Sequence, residues 1–248
     1  MFYKITIIFL FCIGPLLAFA QSNKTPDLQV VSFSNSLLQY QEGGENKGPT
    51  IEILNELLKE AQLSASVSFM PWARAYSIAK TTPNTLTLSM FRTPEREEYF
   101  YWLIKVSQAA RIFISLKNRP ENAVDTIEQA KNKLIAVILD STAHKELVGA
   151  GFSEHKNLYI VSDETNMVNL LINDRVDLVY SDPNNIQRIL KAMNKGDTAI
   201  RYKKIANENQ RMGYIALNKD SDEKIVKQLQ QAADKFSQTD EYLYLLAK

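Results

Sequence analysis

Few side chains in this sequence are equipped for chemistry, and they lie far apart. Arg92, Glu95, Arg96 and Glu97 follow a strand-like run at residues 86–90. A guanidinium offers a carboxylate two parallel N–H donors and does not lose its charge. By spacing alone, however, the four charges read as a solvated cluster at the start of a helix. Ser141 and Thr142 stand between a strand-like run ending at Asp140 and a helix-like one. There, hydroxyls and free backbone N–H groups can meet an anionic group, cap the helix, or do both at once. Asp182, immediately before Pro183, ends another strand-like run. Its carboxylate either faces a crevice at the strand's C-terminal end or caps the following helix. Phe33, Tyr40, Trp72 and Phe91 offer rings able to sandwich a small ligand, although core packing is the commoner fate of an aromatic. Arg74, two residues after Trp72, is a second cation for an anionic ligand or a partner for a nearby acid.

Residues for catalysis are harder to find. There is no Gly-x-Ser-x-Gly, and His144 and His155 lie eleven positions apart in a polar stretch, suited to surface or helix-capping roles rather than to metal binding. Asp182 or Glu52 remains as a carboxylate able to act as a base. The expectation is a binding protein with no catalytic residue, metal or cofactor.

Strand-like and helix-like segments alternate along the chain. Residues 28–33 read as a strand, followed by a polar loop through Gly43, Gly44 and Gly48. Ile51, Leu54, Leu57, Leu58 and Ala61 then fall at helical spacing. A strand at 65–69, a helix from Pro71 to Lys80 and a strand at 86–90 complete a βαβαβ order, which predicts a parallel sheet with helices on its faces. A second unit starts after Pro120, with strands at 134–139, 158–161 and 176–180 alternating with helices. A strand at 214–217 and an amphipathic helix over 225–236 follow.

The N-terminus points to export. Lys4 precedes an apolar run over residues 5–19 that closes on Ala18-Phe19-Ala20, the small-x-small pattern of a signal-peptide cleavage site. Cleavage after Ala20 takes 20 of the 248 residues, leaving 228, and removes Cys12, the sole cysteine. Stability then rests on packing rather than on disulfides. Losing Lys4 also leaves 28 basic against 28 acidic side chains, without the basic excess that a partner of nucleic acid or of an anionic membrane usually carries. A periplasmic location is expected, with no spanning helix in the mature chain.

Several segments, in order, resemble the family-3 extracellular solute-binding proteins, the periplasmic receptors of amino-acid ABC transporters. Residues 89–96, Ser-Met-Phe-Arg-Thr-Pro-Glu-Arg, resemble the family's strand, Thr-x-Glu-Arg and helix. Residues 134–142 resemble the strand and Ser/Thr turn that open the second lobe, and 175–184 resemble the Gly-x-x-Asp-Ala-x-x-x-Asp segment. Gly48-Pro49-Thr50-Ile51-Glu52-Ile53 and residues 213–219 are further, weaker matches.

The resemblance implies an α/β, two-lobed periplasmic-binding-protein-like (type II) fold with two hinge strands and a ligand in the interlobe cleft. It implies a discontinuous lobe 1 at 21–114 and 207–248, with lobe 2 at 115–206. It makes Arg96 the carboxylate-binding arginine, set in the cleft rather than in the core, and Asp182 the ammonium-binding aspartate. Ser89, Phe91, Ser141, Thr142, Phe33, Tyr40, Trp72 and Arg74 complete the expected ligand-binding set. The implied protein is a monomer that closes on its solute and hands it to an inner-membrane ABC permease. A dehydratase-like enzyme of the same fold and a ligand-sensing subunit are the alternatives. Two departures stand out: Phe91 replaces the family's ligand-binding threonine, and Asn84 replaces an acidic turn residue.

Overall fold

The computed structural model describes residues 27–203 and 211–247. The expected signal peptide and its cleavage site lie outside the described residues. The chain runs β1 (Leu28–Ser32), β2 (Tyr40–Glu42), β3 (Glu45–Lys47), α1 (Pro49–Ala61), β4 (Ala65–Phe69), α2 (Trp72–Thr81), β5 (Thr85–Phe91), β6 (Phe100–Ala109) and β7 (Ile112–Leu116). It continues through α3 (Ile127–Ala130), β8 (Ile135–Ile138), α4 (Thr142–Gly149), β9 (Leu158–Val161), α5 (Glu164–Ile172), β10 (Leu178–Ser181) and α6 (Pro183–Ala192). It closes with β11 (Ile200–Tyr202), β12 (Arg211–Asn218), α7 (Glu223–Phe236) and α8 (Asp240–Leu246).

Two five-stranded sheets organise these elements, in the orders β4-β1-β5-β12-β6 and β11-β7-β10-β8-β9. The first lobe buries its helices on both faces of its sheet, because α1, α7 and α2 are each apolar on one side. Ile51, Leu54 and Leu57 of α1 pack with Leu229 and Phe236 of α7 and with Leu86 and Leu88. Ala75 and Ala79 of α2 pack on the opposite face with Val31, Met90 and Phe100. In the second lobe, Met167 and Leu171 of α5 pack with Ile186 and Leu190 of α6 on one face, and Ala143 and Leu147 of α4 lie on the other.

β1 runs parallel to both β4 and β5, as the βαβαβ order predicts, but each full sheet is mixed. β12 runs antiparallel to both β5 and β6, and β7 runs antiparallel to both β10 and β11. The reason is topological. The chain leaves the first sheet along β6, enters the second directly as β7, and returns as β12, so these strands meet their neighbours without the helical crossover that parallel pairing requires. The sheets change over at Ala110-Arg111, a few residues before the expected boundary at Ile114. The polar stretch read as a loop is a β2–β3 hairpin, closed by Gly43 and Gly44 at φ 62° and 84°, the two left-handed positions a tight hairpin turn demands.

Candidate functional site

A cavity of about 270 Å³ lies between the sheets, where the ends of β1 and β5 face the N-termini of α4 and α6. Both lobes contribute to its wall: Phe33, Trp72, Phe91 and Arg96 from one side, Thr142 and Asp182 from the other. Ser89 and Ser141 also line it. Tyr40 and Arg74 do not; Tyr40 lies on the β2–β3 hairpin and Arg74 is exposed on α2.

Arg96 leaves the surface charge cluster to which spacing alone assigned it. Pro94–Arg96 forms a single 3₁₀ turn, which swings the side chain inward until the residue is only 2 % exposed. Its guanidinium carbon lies 5.1 Å from the Trp72 ring centre and 4.9 Å from that of Tyr76. Nη1 donates to the Phe91 carbonyl at 2.8 Å, while Nη2, also buried, has no partner among the described residues. Burial pushes the guanidinium pKa down from its ordinary value, and Tyr76 opposes the shift. The expectation that this arginine is no core element is therefore corrected, since it is packed into the first lobe while also lining the cavity. Arg92 keeps the surface role, pairing with Glu97 at 2.7 Å.

The other expected residues divide between holding the wall together and facing the cavity. Ser141 caps α4, its Oγ accepting from the His144 N–H at 3.1 Å. Asp182 caps α6 by accepting from the Asn184 N–H at 2.9 Å, and its second oxygen accepts from the Ala110 N–H at 3.0 Å, tying the cap to the point where the chain changes sheets. Ser89, at φ 51°, donates to Gln39 at 2.7 Å. Trp72 donates through Nε1 to the Asp140 carbonyl at 3.0 Å, and Phe33 meets it edge-on at 5.7 Å. Thr142 Oγ1, by contrast, is buried without a partner among the described residues, as are Ser107 Oγ and Arg111 Nε on the same wall. Gly213 makes room for the Ser107 hydroxyl, because a Cβ there would collide with it. His144 is not a surface residue: it is 8 % exposed, and its Nδ1 accepts from the Asp140 N–H at 3.3 Å.

Two charged residues in the cleft escaped the sequence reading. Arg111 follows β6 with its guanidinium carbon 5.0 Å from the Phe91 ring centre. Burial lowers its pKa, with Glu146 and Glu164 the main opposing charges. Glu164 opens α5 and accepts from Asn185 Nδ2 at 2.7 Å and from Asn35 Nδ2 at 3.1 Å. Burial raises the Glu164 pKa, and these hydrogen bonds work against the rise. Asn35 lies just past β1 and Asn185 on α6, so this network spans the lobes. Arg188 to the Ser36 carbonyl at 3.2 Å and Arg211 to Glu146 at 2.8 Å join them as well. These contacts hold the lobes against each other around the cavity.

No family profile matches the chain, and no curated protein does. Among solved structures the fold is well represented. A histidine kinase sensor domain with similarity to periplasmic binding proteins is similar at a TM-score of 0.76 and 14% identity, covering 89% of this chain and 94% of that one. The arginine-, lysine-, histidine-binding protein ArtJ from Geobacillus stearothermophilus is similar at 0.76 and 15% identity, over 88% of this chain and 93% of that one. The substrate-binding protein of an amino acid ABC transporter is similar at 0.72 and 15% identity, over 88% and 96%. The chain thus has the two-lobed α/β fold of periplasmic binding proteins, and these three neighbours are ligand-binding or sensor proteins rather than enzymes. Among the described residues no helix is long and apolar enough to cross a membrane, and no cluster of potential metal ligands occurs.

Proposed function

We propose that this chain is an exported solute-binding protein of the family-3 type, which captures a small polar, carboxylate-bearing solute in the interlobe cleft and delivers it to an inner-membrane ABC permease. The observation that carries the reading is Arg96, a buried cation whose Nη2 is unpartnered among the described residues at the wall of a cavity. Burying a charge is costly unless it is paired, so the site is complete only with an anion. Thr142 Oγ1, on the opposite lobe, supplies a further polar contact, so a bound carboxylate bridges the lobes and favours closure. Lobe 1 comprises residues 27–109 and 211–247, lobe 2 runs from Ile112 to Tyr202, and Ala110-Arg111 forms one of the two hinge crossings.

A sensing subunit would use the same cleft with a different membrane partner, and the likeness to the kinase sensor domain keeps that reading in view. Native mass spectrometry of protein purified from the periplasm, combined with small-angle scattering, tests the proposal. A co-purifying carboxylate whose removal by unfolding and refolding loosens the particle, and whose return compacts it, supports the clamp. Identical scattering with and without the saturating carboxylate contradicts it.

A further inference from the structure

Among the described residues, the buried side-chain polar atoms without partners that line the cleft all have a hydrogen to give. Arg96 Nη2 and Arg111 Nε are obligate donors, and Ser107 Oγ and Thr142 Oγ1 are hydroxyls that can donate. Among the described residues, no carboxylate forms an ion pair with either cleft arginine, whereas Arg92, Arg119 and Arg211 outside the cavity each have at least one. The carboxylates on the wall are already engaged. Asp182 holds the Ala110 and Asn184 N–H groups, and Glu164 holds the amides of Asn35 and Asn185. An ammonium entering here would displace those donors and sit in the field of Arg111, which acts electrostatically on both acids. Phe91 contacts both arginines, its carbonyl accepting from Arg96 and its ring lying against the Arg111 guanidinium.

We infer that the cleft is built for a solute with two anionic groups joined by an apolar span and with no α-ammonium, one group held by Arg96 with Thr142 and the other by Arg111. This rests on reading the cleft as a carboxylate site and narrows that reading, since α-amino acids are then poor ligands. Phe91, with its ring on the Arg111 guanidinium, contributes the apolar wall between the two anion seats.

Isothermal titration of the purified protein with glutarate, adipate, suberate, hexanoate, glutamate, phenylalanine and inorganic phosphate tests the inference. At least one dicarboxylate is expected to bind about tenfold or more tightly than hexanoate, phosphate or either amino acid. Arg111→Gln should weaken that dicarboxylate by about tenfold to a hundredfold, the value of a charge-assisted hydrogen bond, and by at least about tenfold more than it weakens hexanoate. Arg111→Lys, which keeps the charge but loses the planar fork, should recover part of the loss and guards against a folding defect in the glutamine variant. Equal losses for hexanoate and the dicarboxylate, or tighter binding of an amino acid or of phosphate, would overturn the two-anion inference. If monocarboxylates or amino acids then still bind in an Arg96-dependent manner, the carboxylate reading survives alone. If no carboxylate binds, both fail.

Discussion

Replacing Arg96 with methionine and, separately, with alanine distinguishes an arginine kept for its ligand from one kept for its packing. The side chain packs beside the stacked Trp72 and Tyr76 rings, in contact with both, and its Nη1 donates to the Phe91 carbonyl. Methionine retains most of that volume. It leaves the carbonyl unpaired, at about 1–3 kcal/mol, and gives up two cation–π contacts of roughly 1 kcal/mol each. It also removes the several kcal/mol that burying a guanidinium costs. The opposing contributions are of similar size, so the ligand-free stability of Arg96→Met should stay within about 2 kcal/mol of the parent. Alanine leaves a cavity beside the two stacked rings and should cost about 2–4 kcal/mol more. Ligand binding should respond differently, because both variants remove the anion's partner. A desolvated charge pair cut on one side loses about 2–5 kcal/mol, or roughly 30-fold or more in affinity. Urea denaturation without ligand and calorimetry with whichever carboxylate binds provide the two readouts. Binding retained within about threefold in Arg96→Met would remove the residue from the site. Equal destabilisation by both substitutions would mean that the charge matters to the apo fold in a way this reasoning misses.

Three further outcomes follow from the cleft's construction. Gly213→Ala drives a methyl into Ser107 Oγ and against the Ser89 carbonyl at 3.2 Å, so thermal unfolding should register a loss of about 1–3 kcal/mol, and an unchanged midpoint would show that the wall yields there. Asn35→Asp keeps the side-chain acceptor for the Leu37 and Leu38 N–H groups but sets a carboxylate oxygen where Nδ2 now meets Glu164 at 3.1 Å; small-angle scattering at pH 7.5 should find a larger radius of gyration than in the parent, and an equal radius would deny that this network holds the lobes together. Glu164 has a native pKa raised above the ordinary value of 4.5, so the native state holds its proton more tightly than the unfolded chain does. Its contribution is fully present below that value and is lost as pH rises through the raised native pKa, so the parent's stability relative to Glu164→Gln should fall from acid to neutral pH; urea melts giving a pH-independent difference would refute the assignment.

Much of the first lobe was readable from the sequence because its helices carry strict periodicity. Ile51, Leu54, Leu57 and Leu58 define α1, and residues 65–69 form β4 as expected. The hinge strands were not legible: residues 100–116 lack clean alternation, and β6 and β7 take their order from partners more than 60 residues away, with Tyr101 opposite Leu217 and Phe113 opposite Tyr180. The site divides along the same line. Local chemistry pointed to Ser141 and Asp182 as caps before helices, and the capping reading left open for each is the one their hydrogen bonds fit. Arg96 was singled out by resemblance, but its stacking on Trp72 and Tyr76 depends on α2 crossing the sheet face, which no local spacing encodes. Arg111 lay in that unread stretch, and Glu164 looks like any acidic residue at a helix start. Arg74 and Tyr40 went the other way: chemistry nominated them, and the backbone carries both away from the cavity.

A crystal structure of the protein with a bound carboxylate is the most direct test of the claim that this cleft is an anion-binding clamp. One carboxylate group is expected within about 2.7–3.1 Å of Arg96 Nη2, with Thr142 Oγ1 contacting it from the other lobe. A ligand seated outside the cleft, or one inside it whose anionic group touches neither residue, would contradict the account.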